Sequence, residues 1–404
     1  MQNLKIPKGQ NLQDNATKWQ AKSKAEQNPS KKCQSSQKWQ NPQIEQNPQK
    51  SQTEQTEQNP QKWYEKNECA GSFWLKVTLV LVSAFYHPIL RPILNLCIAF
   101  VTAVYFVFSP NERRNIARFY ENLEGFIASQ NPQKMRLKPK SWLQRQCQIY
   151  GNFYEFGSAI CDKIASWLGK ISHKDIEIIN IDFIKNELMP PNNAESKKGQ
   201  ILVVSHFGNI EVCRALRNEM GEMGKIPLSI LMYEKIAKDF IALLRYISKD
   251  KESLNTKSNP KSHQSIILVD NLDMDSLLQI KDLLDSGVNI GIMGDRVAID
   301  STSRGKNAKF DFLGKPCYFP QGAFLLAGVL NVKISMLWCE KKNGKYQIEL
   351  ENISQTPVRF ARDKSSRTKD AQVRELAQKY VESLQKRVVA NPKSWFNFYD
   401  FWAV

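Results

Sequence analysis

Residues 201–211 read Ile-Leu-Val-Val-Ser-His-Phe-Gly-Asn-Ile-Glu and place a histidine directly after a short apolar run. The run 201–205 has no charged residue and is rich in β-branched side chains, which predicts a strand covered on both faces of a sheet. Gly208 permits a sharp exit from this strand, and Asn209 is a preferred N-cap residue for a following helix. The stretch therefore predicts one strand-to-helix unit of an α/β fold.

His206 is expected at the carboxyl end of this strand, with Glu211 facing back towards it from the first helical turn. In open α/β sheets that rim is where ligands bind. A neutral imidazole, which titrates at about pH 6.5, accepts a proton well, and a carboxylate on its other nitrogen fixes the tautomer. The pattern thus predicts a general base and an orienting carboxylate, although a single spacing of this kind also arises by chance.

A second predicted strand, 288–293, runs into Gly294 and then into the charged pair Asp295 and Arg296. A charge at the end of a buried strand is unfavourable unless it is paired or used in function. Two strands that end in polar groups at one rim favour a shared site, and the alternative is a structural ion pair. Arg296 is suited either to a developing oxyanion or to a donor phosphate, because its donors form a fixed fork.

A third segment, 310–322, is punctuated by glycine and proline and predicts a loop that leads into a helix over 323–330. Its aromatic and aliphatic side chains are interpreted as the wall of an apolar groove or as part of the core. Gly314 and Gly322 are the candidate binding positions within it.

These segments resemble the lysophospholipid acyltransferase superfamily. The resemblance is carried, in order, by S-H-F-G-N-I-E (205–211), G-D-R-V (294–297), F-L-G (312–314) and F-P-x-G (319–322), and it covers roughly residues 70–402. The branch that contains the lipid A biosynthesis acyltransferases and related predicted acyltransferases is the most similar.

The resemblance implies a glycerol-3-phosphate acyltransferase-like α/β fold with a mixed central sheet flanked by helices. It implies that His206 is the general base and that Glu211 orients it. The resemblance also assigns six residues to substrate binding: Asn209, Gly294, Asp295, Arg296, Gly314 and Gly322. It implies an acyl thioester of acyl carrier protein or coenzyme A as cosubstrate, a membrane lipid as acceptor, and no metal or other cofactor.

The first 66 residues predict a disordered tail. They are dense in Gln, Asn, Lys and Pro and repeat Gln-Asn-Pro-Gln, so they cannot bury enough apolar surface to offset the entropy of ordering. Similar polar stretches at 130–134 and 250–264 predict loop insertions. The net charge of +17 suits an anionic membrane surface. Nucleic acid is the competing partner, but no nucleic-acid motif is present and none is expected to bind.

Apolar residues concentrate between 73 and 108, within a region 67–125 predicted to be a membrane-associating helical segment. Charged residues and prolines interrupt the run, so a helical hairpin or an interfacial pair of helices is favoured over a clean span. A single span and an ordinary buried hairpin are the alternatives. Basic flanks favour the cytoplasmic side of a membrane, and the resemblance implies that this membrane is a bacterial inner membrane.

Residues 141–402 are expected to form the catalytic domain. Further strands are predicted at 227–232 and 265–269, and Asn-Gly at 343–344 predicts a hairpin that makes the sheet mixed. Helices are predicted over 141–170, 234–248, 274–285 and 369–388. Eight scattered cysteines without metal-ligand spacing predict neither a zinc site nor a disulfide framework.

The sequence thus predicts a membrane-associated acyltransferase that uses His206 as general base. The alternative is a non-catalytic basic protein that binds membrane or nucleic acid on a degenerate acyltransferase scaffold.

Overall fold

A computed structural model describes residues 68–130, 141–189, 197–215, 226–233, 266–269, 273–297, 307–360 and 366–403. All of them belong to one compact unit, Asn59–Val404. The predicted tail, the insertion at 250–264 and the predicted helix 234–248 lie outside the described residues, as does the insertion 130–134 beyond Gln130.

Long helices dominate the two ends of the described chain. The helices are α1 (Glu68–Phe85), α2 (Arg91–Phe108), α3 (Pro110–Gln130), α4 (Trp142–Trp167), α5 (Ile181–Leu188), α6 (Met274–Asp285), α7 (Gly322–Leu330) and α8 (Ser366–Ala390). Ser141 begins α4 with a capping box, in which its hydroxyl and the Gln144 side chain satisfy each other's backbone amides. Three short 3₁₀ turns cover His173–Asp175, Ile210–Ala215 and Pro392–Ser394.

The described strands form a seven-stranded mixed sheet and a separate hairpin. The strands are β1 (Ile176–Ile178), β2 (Ile201–Val204), β3 (Leu228–Tyr233), β4 (Ile266–Val269), β5 (Asn289–Met293), β6 (Asn307–Phe312), β7 (Lys315–Pro320), β8 (Ile334–Lys342) and β9 (Lys345–Asn352). The sheet has the order β1-β9-β8-β2-β5-β3-β4, and only β8 and β9 pair antiparallel within it. The prediction of a mixed α/β sheet flanked by helices is confirmed.

β2 lies at the centre of this sheet, between β5 and β8. Its side chains alternate between two separate clusters of buried residues, and all four are at most 3% exposed. Ile201 and Val203 face α3, α8 and the C-terminal aromatic residues, whereas Leu202 and Val204 face the side formed by α1, α2, α4 and α5. The apolar run is therefore covered on both faces, as the sequence predicts.

Two local predictions are wrong. The segment after Asn209 is a short 3₁₀ turn, Ile210–Ala215, within the described residues rather than the start of an α-helix. The segment 310–322 is not a loop, because most of it forms the antiparallel β6–β7 hairpin with Leu313 and Gly314 at its turn. Both Leu313 and Gly314 have positive φ there, which a tight two-residue turn requires.

Candidate active site

The site begins where β2 and β5 end side by side. The two strands are parallel, and Val204 pairs with Met293 in their last register position. The amide of Gly294 still donates to the carbonyl of Val204, at 2.9 Å. Because the pairing continues to this point, His206 and Asp295 leave the sheet together at the same edge.

His206 and Asp295 form a hydrogen-bonded pair through two contacts. The ring Nδ1 of His206 lies 2.8 Å from Asp295 Oδ1, and the backbone amide of His206 donates to Oδ2 of the same carboxylate, also at 2.8 Å. The side chain of Asp295 is only 2% exposed, whereas that of His206 is 27% exposed. One residue of the pair is thus part of the protein interior, and the other faces outwards.

The charge of Asp295 determines which nitrogen of His206 can act as a base. Burial raises the pKa of Asp295, but the neighbouring His206 and Arg296 and the hydrogen bonds from His206 more than offset this, so the pKa lies below its ordinary value. An ionised carboxylate only accepts hydrogen bonds, so Nδ1 must carry the proton. The neutral ring therefore has Nε2 as its acceptor, which is the arrangement of an oriented general base.

Gly294 allows this close approach of the two strands. A Cβ atom there would overlap Cγ1 of Val203 and crowd the ring of Tyr380 at 3.0 Å. Any larger residue would therefore displace Asp295 from β2 and His206. Packing therefore explains why position 294 is a glycine, and the predicted contact of Gly294 with substrate stays a prediction.

Glu211 does not orient His206, which is a correction to the sequence-based expectation. Its carboxylate forms an ion pair with Lys163 of α4, and its backbone carbonyl accepts from the hydroxyl of Ser166. Burial raises the pKa of Glu211, but Lys163 and, to a smaller extent, a backbone hydrogen bond and the charge of His206 outweigh that effect, so the pKa lies below its ordinary value. The 3₁₀ turn after Asn209 directs this carboxylate towards α4, whereas the expected α-helix would have directed it back to the histidine.

The loop between His206 and Asn209 is held by backbone hydrogen bonds from two directions. Gly208 has a φ of +76° and donates to the carbonyl of Ser394 at 2.7 Å, and Phe396 donates back to the carbonyl of His206 at 3.1 Å. The amide of Asn209 donates to the carbonyl of Cys339 on β8, at 2.8 Å. A Cβ at Gly208 would overlap that same carbonyl, so this position requires glycine.

Asn209 and Arg296 use their side chains within the protein. The carboxamide of Asn209 donates to the carbonyl of Ala159 in α4 at 2.8 Å, which is not the N-cap contact expected from the sequence. Arg296 donates from Nη2 to the carbonyl of Phe396 at 3.2 Å, and its guanidinium lies 5.9 Å from the ring centre of Tyr399. Both residues therefore border the site, and each stabilises a neighbouring segment.

The other two predicted binding positions lie on different elements. Gly314 is in the turn of the β6–β7 hairpin, where a Cβ would come 3.6 Å from the ring of Phe126 in α3. Gly322 begins α7. Their assignment to substrate binding stays a prediction.

A second buried carboxylate, which no local sequence pattern indicates, lies close to the site. Asp162 of α4 is fully buried and accepts four hydrogen bonds, from Tyr86 at 2.9 Å and from Arg91, Lys341 and Tyr346 at 2.7 Å each. Burial raises its pKa, but Lys341 and Arg91 outweigh burial and hold the pKa below its ordinary value. Together with Gly208 and Asn209 of the His206–Asn209 loop, Asp162 lines a small depression.

Neither Asp162 nor Lys163 carries a signal that could have been read from the chain alone. Their partners lie between 48 and 184 positions away along the chain, so only the folded arrangement pairs them. Asp162 is 71 positions from Arg91 and 184 from Tyr346, and Lys163 is 48 from Glu211. Across the described ranges, no group of three or more histidine, cysteine, aspartate or glutamate side chains is arranged to hold a metal ion.

No known family model matches this sequence, and no curated protein is significantly similar to it.

Proposed function

We propose that this protein is an acyltransferase that moves a fatty acyl group from an acyl thioester to a hydroxyl or amine of a lipid-like acceptor. One observation carries the proposal: the buried Asp295 carboxylate holds Nδ1 of the partly exposed His206 at 2.8 Å. The order of the S-H-F-G-N-I-E and G-D-R-V segments, which resembles that of lipid A biosynthesis acyltransferases, supports the same reaction class.

In this reaction Nε2 of His206 takes the proton of the acceptor hydroxyl as the oxygen attacks the thioester carbonyl. The resulting imidazolium is stabilised by Asp295, which stays ionised. The carbon–sulfur bond then breaks, and the imidazolium returns the proton to the leaving thiolate. The acceptor is itself the nucleophile, so the scheme contains no covalent acyl-enzyme. A positioned general base contributes on the order of 100- to 10,000-fold in rate.

The experiment compares the wild type with His206→Asn in an assay that contains a labelled acyl thioester and a bacterial lipid extract. Asparagine keeps an N–H donor for Asp295 but has no group that accepts a proton near neutral pH. We expect labelled lipid from the wild type and at least about 100-fold less from the variant. Equal yields from two folded proteins would refute the assignment of His206.

We further propose that the enzyme lies on the cytoplasmic face of a bacterial inner membrane, with α1 and α2 as an interfacial hairpin. α2 is the one described helix that is long and apolar enough to cross a membrane, with a mean hydropathy of 1.8. One face of α2 is packed on the protein through Leu94, Ile98 and Thr102. Packing of this face on the protein leaves the opposite face of α2 to contact lipid.

The opposite face of α2 is an exposed apolar stripe at helical spacing, formed by Ile93, Leu96, Phe100, Val104 and Val107. Leu96 and Phe100 are 71% and 70% exposed, and Ile89 before the helix is 80% exposed. An exposed stripe of this size is typical of a membrane or partner contact. The net charge of +17 favours an anionic bilayer as that contact.

Vesicle binding tests this proposal with Leu96→Glu and Phe100→Glu together, against the matched control Met274→Glu and Leu278→Glu together. Met274 and Leu278 are 68% and 50% exposed on α6, so the control introduces the same two charges away from the stripe. Since each buried apolar side chain contributes about 1.5–3 kcal/mol, the double variant should bind anionic vesicles at least about tenfold more weakly. Unchanged binding of the double variant would exclude this face as the membrane contact.

A further inference from the structure

Four residues at the rim are joined in a closed circuit by hydrogen bonds and by one peptide bond. We call it the rim circuit, and its members are His206, Asp295, Arg296 and Phe396. His206 is bonded to Asp295 through its amide and its ring, both at 2.8 Å. Asp295 is followed in the chain by Arg296, whose guanidinium donates to the carbonyl of Phe396 at 3.2 Å. The amide of Phe396 returns to the carbonyl of His206 at 3.1 Å, which closes the circuit.

The rim circuit joins three distant parts of the chain. His206 follows β2, Asp295 and Arg296 follow β5, and Phe396 lies in the C-terminal segment beyond α8. This C-terminal segment is itself well anchored. Trp395 is 2% exposed and forms an antiparallel bridge with Phe207, and Asn115 of α3 donates to the carbonyl of Phe398 at 3.0 Å. The circuit therefore connects the His206–Asn209 loop to the anchored C-terminal segment.

The side chain of Arg296 contacts the same C-terminal segment. Besides its bond to Phe396, its guanidinium lies near the ring of Tyr399, and the Tyr399 hydroxyl is 3.5 Å from the backbone carbonyl of Asp295. An arginine that only bound a substrate phosphate would turn its donor fork towards the open side of the site. Here at least one donor and the face of the cation are used by the C-terminal segment.

We propose that Arg296 is a positioning residue, which acts through Phe396 to hold the His206 peptide and so the angle of the imidazole against Asp295. This inference rests on the proposed acyl transfer and deepens it, because it assigns a new role to the arginine and to the C-terminal segment. A positioning role affects the chemical step, whereas a phosphate-binding role affects the affinity for donor or acceptor.

The test is the separate measurement of kcat and KM for the acyl thioester and the lipid acceptor in Arg296→Ala and Arg296→Lys. A displacement of about 1 Å at a reacting group lowers the rate on the order of 100-fold, so kcat of Arg296→Ala should fall about 10- to 100-fold. Both KM values should stay within about twofold. Arg296→Lys retains a charged donor and should recover part of kcat. The control Arg359→Ala removes an exposed arginine that contacts Asn331, and it should change neither parameter.

A second pair of variants breaks the circuit on its other side without removing a charge. Phe396→Pro removes the amide that donates to His206, and Phe396→Ala keeps it. We expect the proline variant to reproduce the kcat defect of Arg296→Ala beyond the effect of the alanine variant. A KM for donor or acceptor that rises at least about tenfold in Arg296→Ala with unchanged kcat would overturn the proposal in favour of substrate binding.

Hydrogen exchange of the His206–Gly208 amides gives a readout that does not depend on activity. These amides should exchange faster in Arg296→Ala and in Phe396→Pro than in the wild type, and at wild-type rates in Arg359→Ala. Unchanged exchange in the first two variants would refute the circuit. A wild type without acyl-transfer activity but with this exchange pattern would refute the proposed function and leave the positioning role of Arg296 standing.

Discussion

Asp295 and Asp162 are two buried carboxylates near the same loop, and they differ in their partners. Asp295 is 2% exposed and Asp162 is fully buried, and both have a pKa below the ordinary value of an aspartate. Asp162 is surrounded by two permanent cations, Arg91 and Lys341, and by two tyrosine hydroxyls. Asp295 is bonded instead to the imidazole of His206, whose neutral form has one donor and one acceptor nitrogen.

Burial and a low pKa do not by themselves identify a catalytic carboxylate. Asp162 accepts four hydrogen bonds, which join α4 to Tyr86, to Arg91 at the start of α2 and to the β8–β9 hairpin. These hydrogen bonds stabilise the packing of α4 against those elements. The pair of Asp295 and His206 keeps one ring nitrogen available to accept a proton, and that ring is partly exposed. The two sites therefore differ chiefly in the side chains bonded to the carboxylate: His206 at Asp295, and Arg91 and Lys341 at Asp162.

The largest expected effect is on turnover in Asp295→Asn. The amide no longer requires a proton on Nδ1 and no longer stabilises an imidazolium, so kcat should fall on the order of 100- to 10,000-fold. Circular dichroism and a thermal melt establish that the variant is folded. Asp162→Asn is the matched control, since it makes the same chemical change in the other buried carboxylate. If both folded variants lost activity equally, the contrast between the two carboxylates would be wrong.

The next effect is on stability in Asp162→Asn. Removal of one partner leaves Arg91 and Lys341 near each other without a counter-charge, and breaking a buried ion pair typically costs about 3–5 kcal/mol. Urea unfolding at neutral pH measures this loss in the free energy of unfolding. Tyr86→Phe removes only one of the four hydrogen bonds to Asp162 and should cost about 1.5–3 kcal/mol, since the acceptor is charged. A loss in Asp162→Asn below that of Tyr86→Phe would contradict this ranking.

The same variant carries a pH dependence of defined sign. The pKa of Asp162 is lower in the folded than in the unfolded state, so its stabilisation is fully present above the unfolded pKa. It is lost as the pH falls through the folded pKa. The difference in unfolding free energy between wild type and Asp162→Asn should therefore be constant from about pH 5 to 8 and decrease below about pH 4. A difference that grew on acidification would show that the sign is wrong.

The smallest effect on turnover is expected in Glu211→Gln. This variant distinguishes the observed ion pair with Lys163 from the predicted role of Glu211 in orienting His206. Its partner is Lys163 and not His206, so turnover per folded molecule should fall less than about tenfold, or about 1.4 kcal/mol. The double variant Glu211→Gln with Lys163→Gln removes both charges and should regain part of any lost stability. A kcat loss as large as that of Asp295→Asn would restore Glu211 as the orienting group.

The central sheet was predictable because its signal is local. β2, β3, β4 and β5 fall within one residue of the predicted 201–205, 227–232, 265–269 and 288–293, and the Asn-Gly turn between β8 and β9 lies where predicted. These segments are short apolar runs bounded by turn residues, so the sequence contains the information for them. β1 was missed because three residues between a 3₁₀ turn and α5 have too short a pattern.

The site was predictable only in part. His206, Asp295 and Arg296 were identified as residues of one rim, and the structure brings all three together. The pairing within that rim was wrong, because it assumed an α-helix from Ile210 whose first turn would face Glu211 towards the ring. The observed 3₁₀ turn sends Glu211 to α4, and no local pattern distinguishes the two outcomes.

Local sequence patterns suffice for the strands that end at the rim and for the residue types that follow them, since apolar periodicity and glycine positions act over a few residues. Three features depend on the folded chain: which carboxylate holds His206, which cations surround Asp162, and the contact of the C-terminal segment with the His206–Asn209 loop. Those pairings join positions 71 to 190 residues apart, and they depend on how strands and helices pack. Local propensities act over a few residues and do not encode contacts across that distance.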